Sequence, residues 1–183
     1  MNYSDYQLIN NYLKGDEESL EILIQRYLKP IYSFVYRYIG NAHETEDITQ
    51  EVFVRMWRNL RKFDQQKSFK TWIFAIAKNA SLDFLKKKKA IPFSRFENEQ
   101  GKNMLTETLA DSSPLPDELF EQVSFGEMLN AAIRQLALKY RIVLFLRYND
   151  DFTFREIAEI LGESIDTIKT RHRRGIAILR KLL

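Results

Sequence analysis

Apolar residues recur at three- and four-residue steps along almost the whole chain, and that period leaves room for little but α-helix. Leu20, Leu23, Ile24, Tyr27, Leu28, Ile31, Phe34, Val35, Tyr38 and Ile39 mark one such stripe. Pro30 is expected to bend or divide this segment, because proline removes a backbone donor and crowds the preceding turn. Gly40-Asn41 ends it as a left-handed cap pair would. A second helix is expected from about Glu44 to Leu60, with Ile48, Val52, Phe53, Met56 and Trp57 inward and Asp47, Gln50, Glu51, Arg55 and Arg58 outward. The loop Lys62–Ser68 leads into a third, where Phe69, Trp72, Ile73, Ile76, Ala80 and Phe84 keep the helical period. No segment shows the two-residue alternation of a half-buried strand. Six glycines and four prolines also supply few turns for an all-β fold. The fold class that follows is all-α.

The period fails once, over residues 90–122, a stretch that holds three of the four prolines and is rich in Ser, Thr, Asn and Asp. A structureless run of about 30 residues is unusual inside one compact domain. The expected organisation is therefore two small helical domains, 1–89 and 123–183, joined by an extended acidic linker. Helical patterning resumes at Phe125, Met128, Leu129, Ala132, Ile133 and Leu136, then at Ile142, Val143, Leu144 and Leu146.

The net charge of +3 hides a strong segregation. Residues 1–51 carry four Lys/Arg against nine Asp/Glu, whereas residues 52–89 carry eleven against two. Residues 90–122 return to two against seven, and residues 155–183 carry seven against four. Solvated surfaces normally interleave the two signs. Two basic blocks flanking an acidic spacer suggest two contacts with a polyanion. Lys86 to Lys89 alone would equally suit the C-terminal dipole of a helix.

The sharpest local signal lies in residues 153–181, TFREIAEILGESIDTIKTRHRRGIAILRK. Thr153 and Glu156 form a capping box, and Ile157, Ala158, Ile160 and Leu161 give the short helix a buried face. Gly162 permits the left-handed turn, Ser164 caps the next helix, and Ala158 is small where two helices cross. In that second helix Ile165, Ile168, Ile176 and Leu179 face inward. Lys169, Thr170, Arg173 and Arg174 share another face, with the charge and donors to enter a major groove. A helical hairpin with a solvated basic face is the plainer alternative. His172 falls near the apolar stripe; with only His43 for company and no cysteine, the pair does not make a metal site.

The basic third helix interleaves Phe63, Phe69, Trp72 and Phe84 with Lys67, Lys70, Lys78 and Lys86 to Lys89. Exposed aromatics with cations nearby can stack unpaired bases and hold single-stranded backbone. Most of these aromatics belong to the core, so at most one or two are expected near DNA. Asn79 and Asp83, one turn apart, can both bond to base edges. No Gly-rich phosphate loop, His/Cys cluster or Ser-His-acid set appears, so no enzyme and no cofactor are expected. The N-terminus lacks a signal peptide, and no run approaches the length needed to span a bilayer, so a soluble cytoplasmic protein without membrane insertion is expected. A regulator with a different sensing domain is the main rival reading, but its usual α/β receiver would show strands.

The run DITQEVFVRMWRNLRKFDQQKSFKTWIFAIAKNASLDFLKKKK resembles the second conserved region of extracytoplasmic-function sigma factors of bacterial RNA polymerase. IRQLALKYRIVLFLRYNDDFTFREIAEILGESIDTIKTRHRRGIAILRKLL resembles their fourth region, and order and length also agree. The resemblance implies an alternative sigma factor that binds core RNA polymerase and directs promoter-specific initiation, with minus-ten melting and minus-thirty-five recognition. It implies that Asp47, Gln50 and Glu51 dock polymerase, and that Phe63 through Phe69 capture a flipped base of the minus-ten element. Ser68, Phe69, Trp72, Asn79, Asp83, Lys86 and Lys87 fall in the same element's reading surface, with Lys86 where arginine is usual. Lys169, Thr170 and Arg174 match positions that read the minus-thirty-five element, with Arg155, Ser164 and Thr167 nearby and Arg171 and Arg173 on phosphate. Promoter DNA and an anti-sigma factor, commonly membrane-linked in this group, are the further partners implied. The chain departs from the family at Leu136-Ala137, where Leu-Pro is common, and at His172, where an apolar residue is usual.

Overall fold

The computed structural model describes residues 3–90, 126 and 128–183, so the expected acidic linker lies outside the described residues except at Ala90. Every element described is helical. Ser4 opens the first, α1 (Asp5–Leu13), through a reciprocal capping box with Gln7, a signal that the apolar period alone does not reveal. Gly15, at φ +106°, turns the chain into α2 (Glu17–Ile39). The Asp5 carboxylate ties the two together by accepting from Arg26 and from the Tyr27 hydroxyl. Burial, reinforced by that bond, pushes the Tyr27 hydroxyl far above its ordinary pKa.

Pro30 does not divide α2, which continues through it to Gly40. Leu23, Tyr27, Ile31, Phe34 and Val35 are buried along one face on both sides of the proline, so tertiary packing carries the helix across the missing bond. Gly40 takes the left-handed conformation, φ +74°, and its N–H caps the Tyr36 carbonyl. Asn41 caps α3 (Ala42–Asn59) by accepting from the Glu44 N–H at 3.0 Å. The inner stripe of α3 is Ile48, Val52 and Met56. Trp57, expected on that stripe, is 53% exposed instead and donates its indole N–H to the Tyr12 hydroxyl. Position 57 lies about 100° round the helix from Met56, which turns it off the buried face. Ser68 accepts from the Thr71 N–H to start α4 (Phe69–Ala90).

The C-terminal helices are residues 128–135 (α5), α6 (Leu138–Tyr148), α7 (Phe154–Leu161) and α8 (Ile165–Leu182). The caps of the helix-turn-helix are those read from the sequence. Thr153 and Glu156 complete the capping box, Gly162 sits at φ +69°, and the Ser164 side chain accepts from the Thr167 N–H. Ala137 occupies the N-cap position of α6 without a side-chain cap, at φ −56°, within the range proline imposes.

The two helical groups do not keep separate cores. Helix α7 lies against α4, and Phe74 and Phe152, both almost fully buried, meet edge-to-face with ring centroids 4.9 Å apart. Phe74 also packs on Phe34, so the aromatic core of the first group continues into the second. Fully burying a phenylalanine side chain contributes about 1.5–3 kcal/mol, so Phe152 is a substantial anchor for one domain upon the other.

Candidate nucleic-acid and polymerase interfaces

Two helices carry the surfaces singled out in the sequence, and each is held by its opposite face. Ile73, Phe74, Ala77, Ala80 and Ser81 bury one side of α4. That leaves Asn79, Asp83, Lys86 and Lys87 exposed, at steps of four, three and one, which places them along one stripe. Trp72 stands one further double turn back on the same stripe, half-buried. Its ring lies 4.7 Å from that of Phe63, and both contact Phe69. Phe69 itself is buried against Tyr27. Within this cluster Phe63 and Trp72 present ring surface, with Phe69 as their floor. The connecting loop is set by Asp64, which accepts from the Gln66 and Lys67 N–H groups. Ser68 remains exposed, with its hydroxyl engaged in the cap.

The stripe is not free of partners. Asn79 Oδ1 accepts from Lys78 Nζ at 2.9 Å. Asp83 accepts from Arg55 Nη1 at 3.2 Å, while Arg55 Nε donates to Glu51 at 2.7 Å. Arg55 thus bridges α3 and α4, and the Glu51 bond is the main cause that raises its pKa. Asp47, Gln50 and Glu51 are exposed on the outer face of α3. Gln50 borders an open groove of 560 Å³ between α2 and α3, lined also by Gln25, Leu28, Lys29, Tyr32 and Thr49. The Thr49 hydroxyl is buried there with no partner among the described residues. Beside the groove Leu28 is 41% exposed.

On α8, Ile168, Gly175 and Leu179 face inward. Gly175 packs closely on α6: an added Cβ would lie 3.2 Å from Leu144 Cδ1, so that side chain would have to shift slightly. Lys169, Arg173 and Arg174 are exposed and make no ion pair among the described residues. Thr167, Thr170, Arg171 and Arg174 border a 350 Å³ cleft whose other wall is Lys139 and Tyr140 of α6. Those two wall residues escaped the sequence reading because they lie outside the helix-turn-helix. Arg155 is exposed on α7. Arg171, by contrast, pairs with Glu163 at 2.7 Å and lies beside Tyr38 of the first domain. Burial pushes the Tyr38 hydroxyl up, and the Arg171 charge opposes this. His172 is half-buried; Nε2 lies 2.9 Å from the Tyr148 hydroxyl, and its ring meets Phe154 edge-on. Burial, then the charge of Arg147, lowers its pKa below 6.5. An apolar pocket of 270 Å³, lined by Leu129, Ile133, Leu144, Phe145 and Ile176 among others, opens between α5, α6 and α8. Among the described residues no group of three His, Cys, Asp or Glu side chains is placed to hold a metal ion, and no helix is long and apolar enough to cross a membrane.

A helix-turn-helix with a basic second helix, joined to a helical domain with a basic, aromatic-flanked stripe, defines a DNA-binding transcription protein. Residues 23–91 match the family model for sigma-70 region 2, and residues 126–179 match that for sigma-70 region 4. The chain is 37% identical to the ECF RNA polymerase sigma factor SigW of Bacillus subtilis strain 168, over 93% of this chain and 91% of that protein. It is 30% identical to SigX of the same organism, over 90% and 84%. It belongs to the ECF RNA polymerase sigma factors, non-enzymatic transcription factors that direct promoter-specific initiation by RNA polymerase. The fold is shared with CnrH, solved in complex with the cytosolic domain of CnrY, at a TM-score of 0.61 and 22% identity, covering 97% of this chain and 96% of that one. It is also shared with RpoE of Bartonella quintana, solved with the anti-sigma factor NepR, at a TM-score of 0.66 and 19% identity, covering 88% and 94%.

Proposed function

We propose a division of labour in which residues 1–89 bind core polymerase and the minus-ten element, and residues 123–183 bind the minus-thirty-five element. Residues 90–122 connect the two. The observation that carries this reading is the pair of exposed stripes. Asn79, Asp83, Lys86 and Lys87 run along α4, and Lys169, Arg173 and Arg174 stand on α8. Asp47, Gln50 and Glu51, beside the groove between α2 and α3, dock the polymerase. Phe63 and Trp72 hold a flipped base over the buried ring of Phe69, and the pocket offsets the few kcal/mol of unstacking that flipping costs.

On α8, Lys169, Thr170 and Arg174 read bases, while Arg155, Arg171 and Arg173 contact phosphate. Ser164 and Thr167 add donors at the helix N-terminus, where an anion is favoured. The protein acts in the cytoplasm without inserting into the membrane. An anti-sigma factor is its proposed inhibitor, and the apolar pocket between α5, α6 and α8 suits an apolar helix of such a protein partner. The test is reconstitution: purified chain added to bacterial core RNA polymerase, with run-off transcription scored over promoter fragments of its own genome. Specific initiation confined to reactions that contain the chain supports the reading and yields the promoter sequence. Binding to particular duplexes without polymerase, and no initiation, overturns it.

A further inference from the structure

Helix α8 carries a single acidic residue, Asp166, and it stands on the face turned away from the protein. At about 100° per residue, Asp166 lies about 160° round the axis from Ile168, which is fully buried. Lys169, Thr170 and Arg173 follow it at three, four and seven residues, so all four share one stripe. Asp166 and Thr170 also border the cleft between α6 and α8, with Lys139 on the opposite wall. The Asp166 carboxylate is exposed and makes no ion pair or hydrogen bond among the described residues, although Lys169 is one turn away.

We propose that Asp166 is a specificity-determining residue that accepts a hydrogen bond from the exocyclic amino group of a cytosine in the minus-thirty-five element. The inference rests on the minus-thirty-five assignment of α8 made above. A recognition helix presents its N-terminal residues to base edges in the major groove, and Asp166 is the second residue of α8. An ionised carboxylate only accepts. In that groove cytosine offers its N4 amino donor and no acceptor. Guanine offers the acceptors O6 and N7, thymine offers O4, and adenine sets an acceptor N7 beside its N6 donor. Cytosine is thus the one base whose edge an acid meets without facing a lone pair.

The plainer role of an acid at this position is to sit on the positive end of the helix dipole. That role is indifferent to which side of the first turn carries the charge, and Ser164 already caps the Thr167 N–H there. Turned outward among cations, the carboxylate opposes the phosphates that Lys169 and Arg173 attract, so it weakens binding to every duplex alike. A group that weakens general binding and gains from one base edge acts by selecting against the other bases.

The test uses the full chain bound to core RNA polymerase, with run-off transcription scored over promoters whose minus-thirty-five element is randomised. The parent is expected to prefer cytosine about five- to twentyfold at one base pair of the element. Asp166→Ala is expected to abolish that preference and to raise initiation from promoters carrying another base there by about two- to fivefold. An asparagine pairs with N6 and N7 of adenine, so in Asp166→Asn the preference at the same base pair is expected to move to adenine. Helical circular dichroism identifies a variant that fails to fold, and the other variant then decides. Folded variants that keep the parent's preference at every position overturn the inference and leave Asp166 serving only the helix end. A parent that initiates at specific promoters with no preference anywhere in the minus-thirty-five element overturns the assignment of α8, and the inference with it, while the sigma role stands.

Discussion

Helices α4 and α8 both face nucleic acid in the proposed function, yet they are prepared for it in opposite ways. Three cations of α8, Lys169, Arg173 and Arg174, stand exposed with no ion-pair partner among the described residues, whereas Arg171 is paired with Glu163. The three attract phosphate directly, with no internal bond to exchange. On α4 two polar groups of the stripe are already occupied, Asn79 by Lys78 and Asp83 by Arg55, while Lys86 and Lys87 are exposed without an ion pair among the described residues. Lys70 at the start of the helix is occupied by the α6–α7 loop. Anchoring differs as well. Helix α4 rests on the deep aromatic cluster of Phe34, Phe74 and Phe152, whereas the C-terminal end of α8 rests on a small cluster of Ala132, Leu136, Leu144 and Leu179. On the proposed roles, α8 would meet duplex DNA with unpaired cations, while Asn79 and Asp83 of α4 would release their partners before reading a base.

The largest effect tests the anchoring half of this contrast. Phe74→Ala removes a fully buried ring that touches both domains. It is expected to cost about 3–5 kcal/mol of unfolding free energy, read by urea denaturation. A loss under about 1 kcal/mol would mean that the aromatic cluster collapses to fill the gap and that α4 is not anchored as described.

Next in size is the free face of α8. Lys169→Ala with Arg174→Ala is expected to weaken minus-thirty-five recognition by about 1–3 kcal/mol for each lost base contact, with the helical content unchanged. Run-off transcription over promoter variants measures it. Unchanged promoter selection would remove these two residues from the reading set.

Smaller again is the bridge at Arg55, which tests whether the α4 stripe is held in a partnered state. Its pair with Asp83 is solvent-exposed at both ends, and exposed pairs contribute about 0.2–1 kcal/mol. Arg55→Ala is therefore expected to leave thermal stability nearly unchanged. Its effect falls instead on discrimination at the minus-ten element, where an unpaired Asp83 repels the backbone. Identical minus-ten preferences in parent and variant would show that the bridge only joins α3 to α4.

How much of this was legible in the sequence differs between the two regions for the same physical reason. The helix-turn-helix is written in short-range terms. Thr153, Glu156, Gly162 and Ser164 each act within four residues, so their caps could be read before any packing was known. In the first domain, packing overrides local preference. Pro30 is carried through an unbroken α2, and Trp57 is turned outward by one helical step. The exposed stripes that hold Asn79, Asp83, Lys169 and Arg174 were legible, because periodicity alone fixes which residues share a stripe. Their partners were not legible. The Arg37–Asp150 pair joins positions 113 residues apart, and no spacing rule reaches that far. The Leu136-Ala137 departure from the family pattern proved conformationally mild, since Ala137 keeps a proline-like φ of −56°.

The smallest effect concerns His172, the other departure. Burial and the nearby Arg147 charge hold its folded pKa below 6.5, so the unfolded chain binds the proton more readily. The sign follows from linkage: stability from the neutral ring is present above about pH 6.5 and is lost as pH falls from there through the folded pKa. The melting temperature of the parent should therefore decline slightly on acidification below about pH 6.5, ahead of any carboxylate titration. His172→Phe keeps an aromatic ring against Tyr148 and Phe154 and should flatten that decline. Equal slopes in parent and variant would move the acid sensitivity elsewhere. The recognition helix would then be as indifferent to protons as its exposed arginines are.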